Sequence, residues 1–127
     1  MHRVGCALVL ALLAAIAAAP ASTSCGVHAH ERVVLFGAGD DPSVLLWDSR
    51  FRLRAYHLAS FDESQAMLPR ALLVAGGTRA IVLSCIGNFV QPRYGLTLDD
   101  ALYVKILTGP LHGRSGWVIA ADARLMR

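Results

Sequence analysis

The segment Arg50-Phe51-Arg52-Leu53-Arg54-Ala55-Tyr56 decides how this chain is read. Apolar and basic residues alternate through it with a period of two. In a strand, successive side chains point to opposite faces, so Phe51, Leu53 and Ala55 would line one face and Arg50, Arg52 and Arg54 the other. The pattern predicts a half-buried strand carrying three guanidinium groups about 7 Å apart, with Tyr56 in line with them. Such a row suits the carboxylates or phosphates of a wall or lipid polymer. The competing reading is a solvated strand face balanced by acidic neighbours. Tyr103 and Trp47 are further aromatic candidates for a contact surface, although a tryptophan is more often core.

Short apolar runs bounded by turn residues continue on both sides. Arg32-Val33-Val34-Leu35-Phe36 precedes the turn-rich Gly37-Ala38-Gly39-Asp40-Asp41-Pro42, and Ser43-Val44-Leu45-Leu46-Trp47 follows it. Thr78-Arg79-Ala80-Ile81-Val82-Leu83, Tyr103-Val104-Lys105-Ile106-Leu107 and Trp117-Val118-Ile119-Ala120 read as three more strands. Asp62 to Leu73 is the one helix candidate, with Asp62 and Gln65 in a capping-box arrangement and Pro69 limiting it to a turn or two. Residues 87–100 read as a long loop or irregular hairpin. Many short strands with almost no helix predict an all-β fold, a small antiparallel barrel or sandwich.

In this order the elements resemble the bacterial Src-homology-3-like domain family over about Val44 to Leu125. Phe51-Arg52-Leu53-Arg54 resembles that family's arginine-bearing first strand. Ala75-Gly76-Gly77-Thr78-Arg79 resembles its Gly-Thr strand, Tyr103-Val104-Lys105-Ile106 its aromatic-Val strand, and Gly113-Arg114-Ser115-Gly116-Trp117-Val118 its closing turn and strand. The resemblance implies a small antiparallel barrel at 44–127, with residues 22–43 adding a tail and a short strand extension. It also implies a peptide, a peptidoglycan fragment or another protein as ligand. Two glycines have physical roles independent of any family. Gly77 allows a positive φ before a strand, and Gly116 allows close backbone approach beside Trp117, which can cap one end of a thin core.

The N-terminus bears on the compartment. Met1-His2-Arg3, an apolar run from Val4 to Ala19 and Ala19-Pro20-Ala21 read as a secretory signal peptide over 1–21. The run is shorter than the roughly 20 residues of a membrane span, so no permanent span is expected after its removal. Acylation of Cys25 as a lipoprotein is the other option, but Ser22-Thr23-Ser24 lacks the usual upstream aliphatic residue. Loss of Arg3 takes Lys+Arg from 12 to 11 against 9 acidic residues, leaving a net charge of +2. With no Lys/Arg cluster, nucleic acid is not an expected partner. At 127 residues, 55% hydrophobic and 17% charged, the chain has room for one domain and enough apolar surface to fold. Cys6 leaves with the signal. In an oxidising compartment Cys25 and Cys85 are then read as a disulfide.

Three constellations invite chemistry. Cys25, His28, His30 and Glu31 are metal-ligand types within seven residues, but their spacing matches no strong metal motif and they read as a solvated tail, so no metal is expected. Cys85 with His57 or His112 and Asp99 or Asp100 could in principle form a thiol nucleophile set, yet no nucleophile motif surrounds it. Asp40-Asp41 and Asp99-Asp100 read as turn residues. The expectation is therefore a secreted or periplasmic non-catalytic binding module, without cofactor, for a cell-wall component or an envelope protein or peptide. The alternatives are a structural or accessory subunit of an envelope assembly, and a small hydrolase with an unrecognised site.

Overall fold

The computed structural model describes residues 25–37, 42–92 and 95–126. The expected signal peptide at 1–21 lies outside the described residues, as do Cys6, Asp40 and Asp41. The strands are β1 (Arg32–Leu35), β2 (Val44–Leu46), β3 (Leu72–Val74), β4 (Thr78–Val90), β5 (Asp99–Ile106), β6 (Ser115–Ile119) and β7 (Ala123–Leu125). Two α-helices, α1 (Arg50–Leu58) and α2 (Phe61–Met67), stand between β2 and β3, followed by a 3-10 turn at Leu68–Arg70. The chain is mostly β, in two antiparallel sheets of order β6-β5-β4-β1-β7 and β2-β3.

The helix α1 replaces the strand expected at Arg50–Tyr56. Ser49 caps it, its hydroxyl accepting from Phe51 N at 3.1 Å and Arg52 N at 3.3 Å. Arg, Leu and Ala are good helix formers, and Leu53, Tyr56 and His57 have the i, i+3, i+4 spacing of one helical face. Only Leu53 of the expected apolar strand face is buried, at 1% exposure, whereas Phe51 is 61% exposed. The helix α2 starts one residue before the expected region Asp62 to Leu73 and ends at Met67; it is capped by Ser60, whose hydroxyl accepts from Glu63 N at 3.3 Å. Asp62 is therefore not the cap.

The expected antiparallel all-β arrangement is present as two sheets; among the described residues the hydrogen-bonded ladder is open, with β6 and β7 at opposite edges. The edge strand β6 meets the small sheet through a single bridge, Trp47 to Trp117, which is too little pairing to carry a closed wall. The expected loop after Gly87 is in its first part strand, because β4 runs on to Val90 through register shifts between Val82 and Ser84 and between Ile86 and Val90.

The strand faces follow from register. Val33 and Leu35 of β1, Ala80 and Val82 of β4, Leu102, Val104 and Ile106 of β5 and Val118 of β6 share the inner face and pack against Val44, Leu46 and Val74 of the small sheet. A second cluster of Trp47, Leu53, Val90, Ala101 and Ile119 forms where α1 covers one end of the outer face. Gly77 has φ +87° before β4, as its position predicts. At Gly116 a Cβ would lie 2.5 Å from Leu46 Cγ and 2.8 Å from Trp47 O, so the close approach there requires glycine.

Cys25 and Cys85 form a disulfide with a Cα–Cα distance of 6.4 Å. Residues 25–31, the described part of the expected tail, are consequently held against the sheet. His30 N donates to Val82 O at 2.7 Å, Val82 N donates to Glu31 O at 2.9 Å, and Val27 packs against the main core. Among the described residues no helix is long and apolar enough to cross a membrane.

Candidate functional site

The small sheet positions the main concave surface. Alternation in β2 buries Val44 and Leu46 in the main core and turns Leu45 to the opposite face, where it packs against the second cluster; the register pairs Leu45 with Leu73 on that face. Leu73 is 64% exposed. A cavity of about 410 Å³ lies over this pair, lined by Ser43, Leu45, Tyr56, Leu68, Ala71 and Leu73. A second, of about 200 Å³, is lined by Gly37, Ser43, Leu45, Trp47, Leu53, Tyr56, His57, Ile119 and Asp122. They share Ser43, Leu45 and Tyr56, and so make one groove between α1 and the small sheet.

Its two ends differ chemically. The Leu68–Ala71–Leu73 end is apolar. The other end gathers Ser43, His57 and Asp122 around the Trp47 and Tyr56 rings, whose centroids are 5.0 Å apart. Tyr56 also meets the His57 ring edge-on at 5.3 Å. Burial, with a smaller contribution from the like charge of Asp99, raises the Asp122 carboxyl to a pKa of about 6. This end therefore changes charge in the mildly acidic range.

Of the residues expected to bind a ligand, Tyr56 lines both parts of the groove and Trp47 walls the smaller one, while the three arginines and Tyr103 lie elsewhere. The helix divides the arginine row: at 100° per residue Arg50 and Arg54 share a side while Arg52 falls nearly opposite. Each has its own partner. Arg52 Nη1 donates to Asp48 Oδ2 at 2.6 Å, while Arg50 and Arg54 lie over the Phe51 and Phe89 rings at 4.9 and 5.1 Å. Tyr103 stands on β5 against Trp117, with ring centroids 5.1 Å apart, on the outer face of the large sheet. Trp47 is core, at 1% exposure.

The other constellations are likewise redistributed. Cys85 is bonded to Cys25 and supplies no thiolate, which removes it as a nucleophile or metal ligand while oxidised. Asp100 lies beside the disulfide, its carboxylate accepting from Gly26 N at 3.3 Å and Asn88 N at 3.0 Å. Asp99 accepts from Ala121 N at 2.9 Å. The pair Asp99-Asp100 thus opens β5 and satisfies backbone donors rather than forming a turn. His28 pairs with Glu31, Nδ1 to Oε1 3.1 Å.

Leu45, Leu73, His57 and Asp122 carry the groove without having been read as a binding set. The outward leucines were detectable as the odd members of short apolar runs. Nothing local marks Asp122, which reaches the groove through the chain's return after β6. No family model, curated protein or solved structure matches this chain.

Proposed function

We propose that the protein is a secreted or periplasmic, non-catalytic binding module of the cell envelope, a Src-homology-3-like domain that takes an extended peptide or the peptide part of a wall fragment in the groove over β2 and β3. The observation that carries this reading is the groove itself, apolar over Leu45 and Leu73 and centred on Tyr56. Among the described residues the strand β3 pairs with β2 alone in its sheet. An extended peptide can add to such an edge through main-chain hydrogen bonds while alternate side chains enter the groove. The Cys25–Cys85 bridge suits an oxidising compartment.

The test is amide chemical-shift mapping with soluble peptidoglycan fragments, with and without their stem peptides. Peptide-bearing fragments should shift Leu45, Tyr56, Ala71 and Leu73, and Tyr56→Ala should weaken binding at least tenfold, about 1.4 kcal/mol. Absence of shifts at these positions at millimolar fragment overturns the reading. A structural subunit is the second reading, favoured by exposed Phe51, Leu58 and Leu98 around Phe89. Self-association in solution that Phe51→Ser abolishes would support it.

A further inference from the structure

Among the described residues no helix covers one half of the outer face of the large sheet, and strand register decides what that half displays. Val34 pairs with Arg124 on one side and Arg79 on the other, making one row across β7, β1 and β4. The next row runs from Arg32 through Ile81 to Lys105 and Ser115. Directly paired residues share a face, so Arg32, Arg79, Lys105 and Arg124 all stand on one side of the sheet, and all four are exposed. Diagonal neighbours such as Arg32 and Arg79 lie about 7–8 Å apart.

No acidic residue occupies either row, and among the described residues none of the four cations is in an ion pair. Arg124 lies over the Phe36 ring at 5.4 Å. Asp122 has the same parity as Arg124 but lines the cavity beneath α1. Beside Lys105 on the same face, Tyr103 and its neighbour Trp117 extend the surface with aromatic rings.

We infer that this face is a docking surface for an extended acidic polysaccharide, a chain carrying carboxylate or phosphate groups at intervals. Charge complementarity points to a polyanion. A flat lattice of separated cations suits anions spaced along a polymer, and the Tyr103–Trp117 rings suit the C–H faces of sugars. A bilayer is a poorer fit, because the apolar side chains between the cations, Val34 and Ile81, are half-buried and do not protrude for insertion. The residues are separate from those of the groove, so this surface and the peptide site stand or fall independently.

The experiment measures binding of the disulfide-bonded protein to polygalacturonate, with neutral dextran and with phosphatidylglycerol and phosphatidylcholine vesicles as comparisons. Wild type should bind polygalacturonate at low salt, ignore dextran, and lose affinity steeply as salt rises through counterion release. Arg79→Gln/Lys105→Gln should bind at least tenfold more weakly with a shallower salt slope and an unchanged melting temperature. If that pair fails to fold, Arg32→Gln/Arg124→Gln removes the same charge from the same face. No binding at low salt overturns the proposal. So does wild-type affinity in a folded double variant, preference for phosphatidylglycerol vesicles over the polymer, or an equal loss in Arg50→Gln/Arg54→Gln, which removes two charges from α1.

Discussion

Trp47 and Trp117 exchange both backbone hydrogen bonds, Trp47 N to Trp117 O at 2.9 Å and Trp117 N to Trp47 O at 2.7 Å. This one bridge ties the small sheet to the edge of the large one, and it forms because Gly116 lets β6 lie against Leu46 and the Trp47 carbonyl. Gly116→Ala puts a methyl where a main-chain oxygen cannot yield. The variant should lose about 2 kcal/mol or more, as overpacked sites do. In urea titration this appears as a lower midpoint with an unchanged slope. A wild-type midpoint would mean that the two strands can separate without cost.

The disulfide spans 60 residues of chain. Cross-linking so long a loop restricts the unfolded ensemble by about 4 kcal/mol in the chain-entropy model. Reduction should lower the melting temperature by several degrees and release the segment before β1 from β4. The check is thermal unfolding with and without reductant, alongside alkylation of the unreduced protein. Two alkylated thiols in exported, unreduced protein would contradict the bridge.

Asp122 makes stability depend on pH in a predictable direction. Its carboxyl titrates near 6 in the fold and near 3.8 in a model compound. Between those values the folded state keeps a proton that the unfolded state has released, so stability falls as pH rises from about 4 to about 6, then levels. The full shift corresponds to about 3 kcal/mol, and water access to the partly exposed group reduces this to about 1–2 kcal/mol. Asp122→Asn should therefore match wild type at pH 3.5, exceed it by that amount at pH 7.5, and lose the decline between. Unfolding free energies across this range test it.

Ser49 starts the helix that the alternating segment becomes. Removing its hydroxyl in Ser49→Ala leaves Phe51 N and Arg52 N without their acceptor. The expected cost is about 1 kcal/mol, recovered by Ser49→Asp. Because α1 carries Leu53 and Tyr56 into the groove, faster amide exchange along 50–58 should accompany the loss. Unchanged exchange would show that packing alone holds α1.

The features legible in the residues alone are local. Turn residues and β-rich runs placed β1, β2, the first half of β4, the second half of β5 and most of β6, because short apolar runs between Gly and Pro have few other conformations. Gly77 and Gly116 were readable from backbone requirements, and an even pair of cysteines pointed to its own bridge. The rest depends on long-range packing. Arg50–Tyr56 satisfies a period of two and also places Leu53, Tyr56 and His57 on a helical face. Ser49 and the packing of Leu53 and Tyr56 beside Trp47 resolved that ambiguity, and in doing so divided the arginine row. The groove depended on the Leu45–Leu73 register and on the return of Asp122 after β6. The basic face joins Arg32, Arg79, Lys105 and Arg124, residues spread over most of the chain; only strand pairing, which acts across long sequence separations, brings them onto one surface.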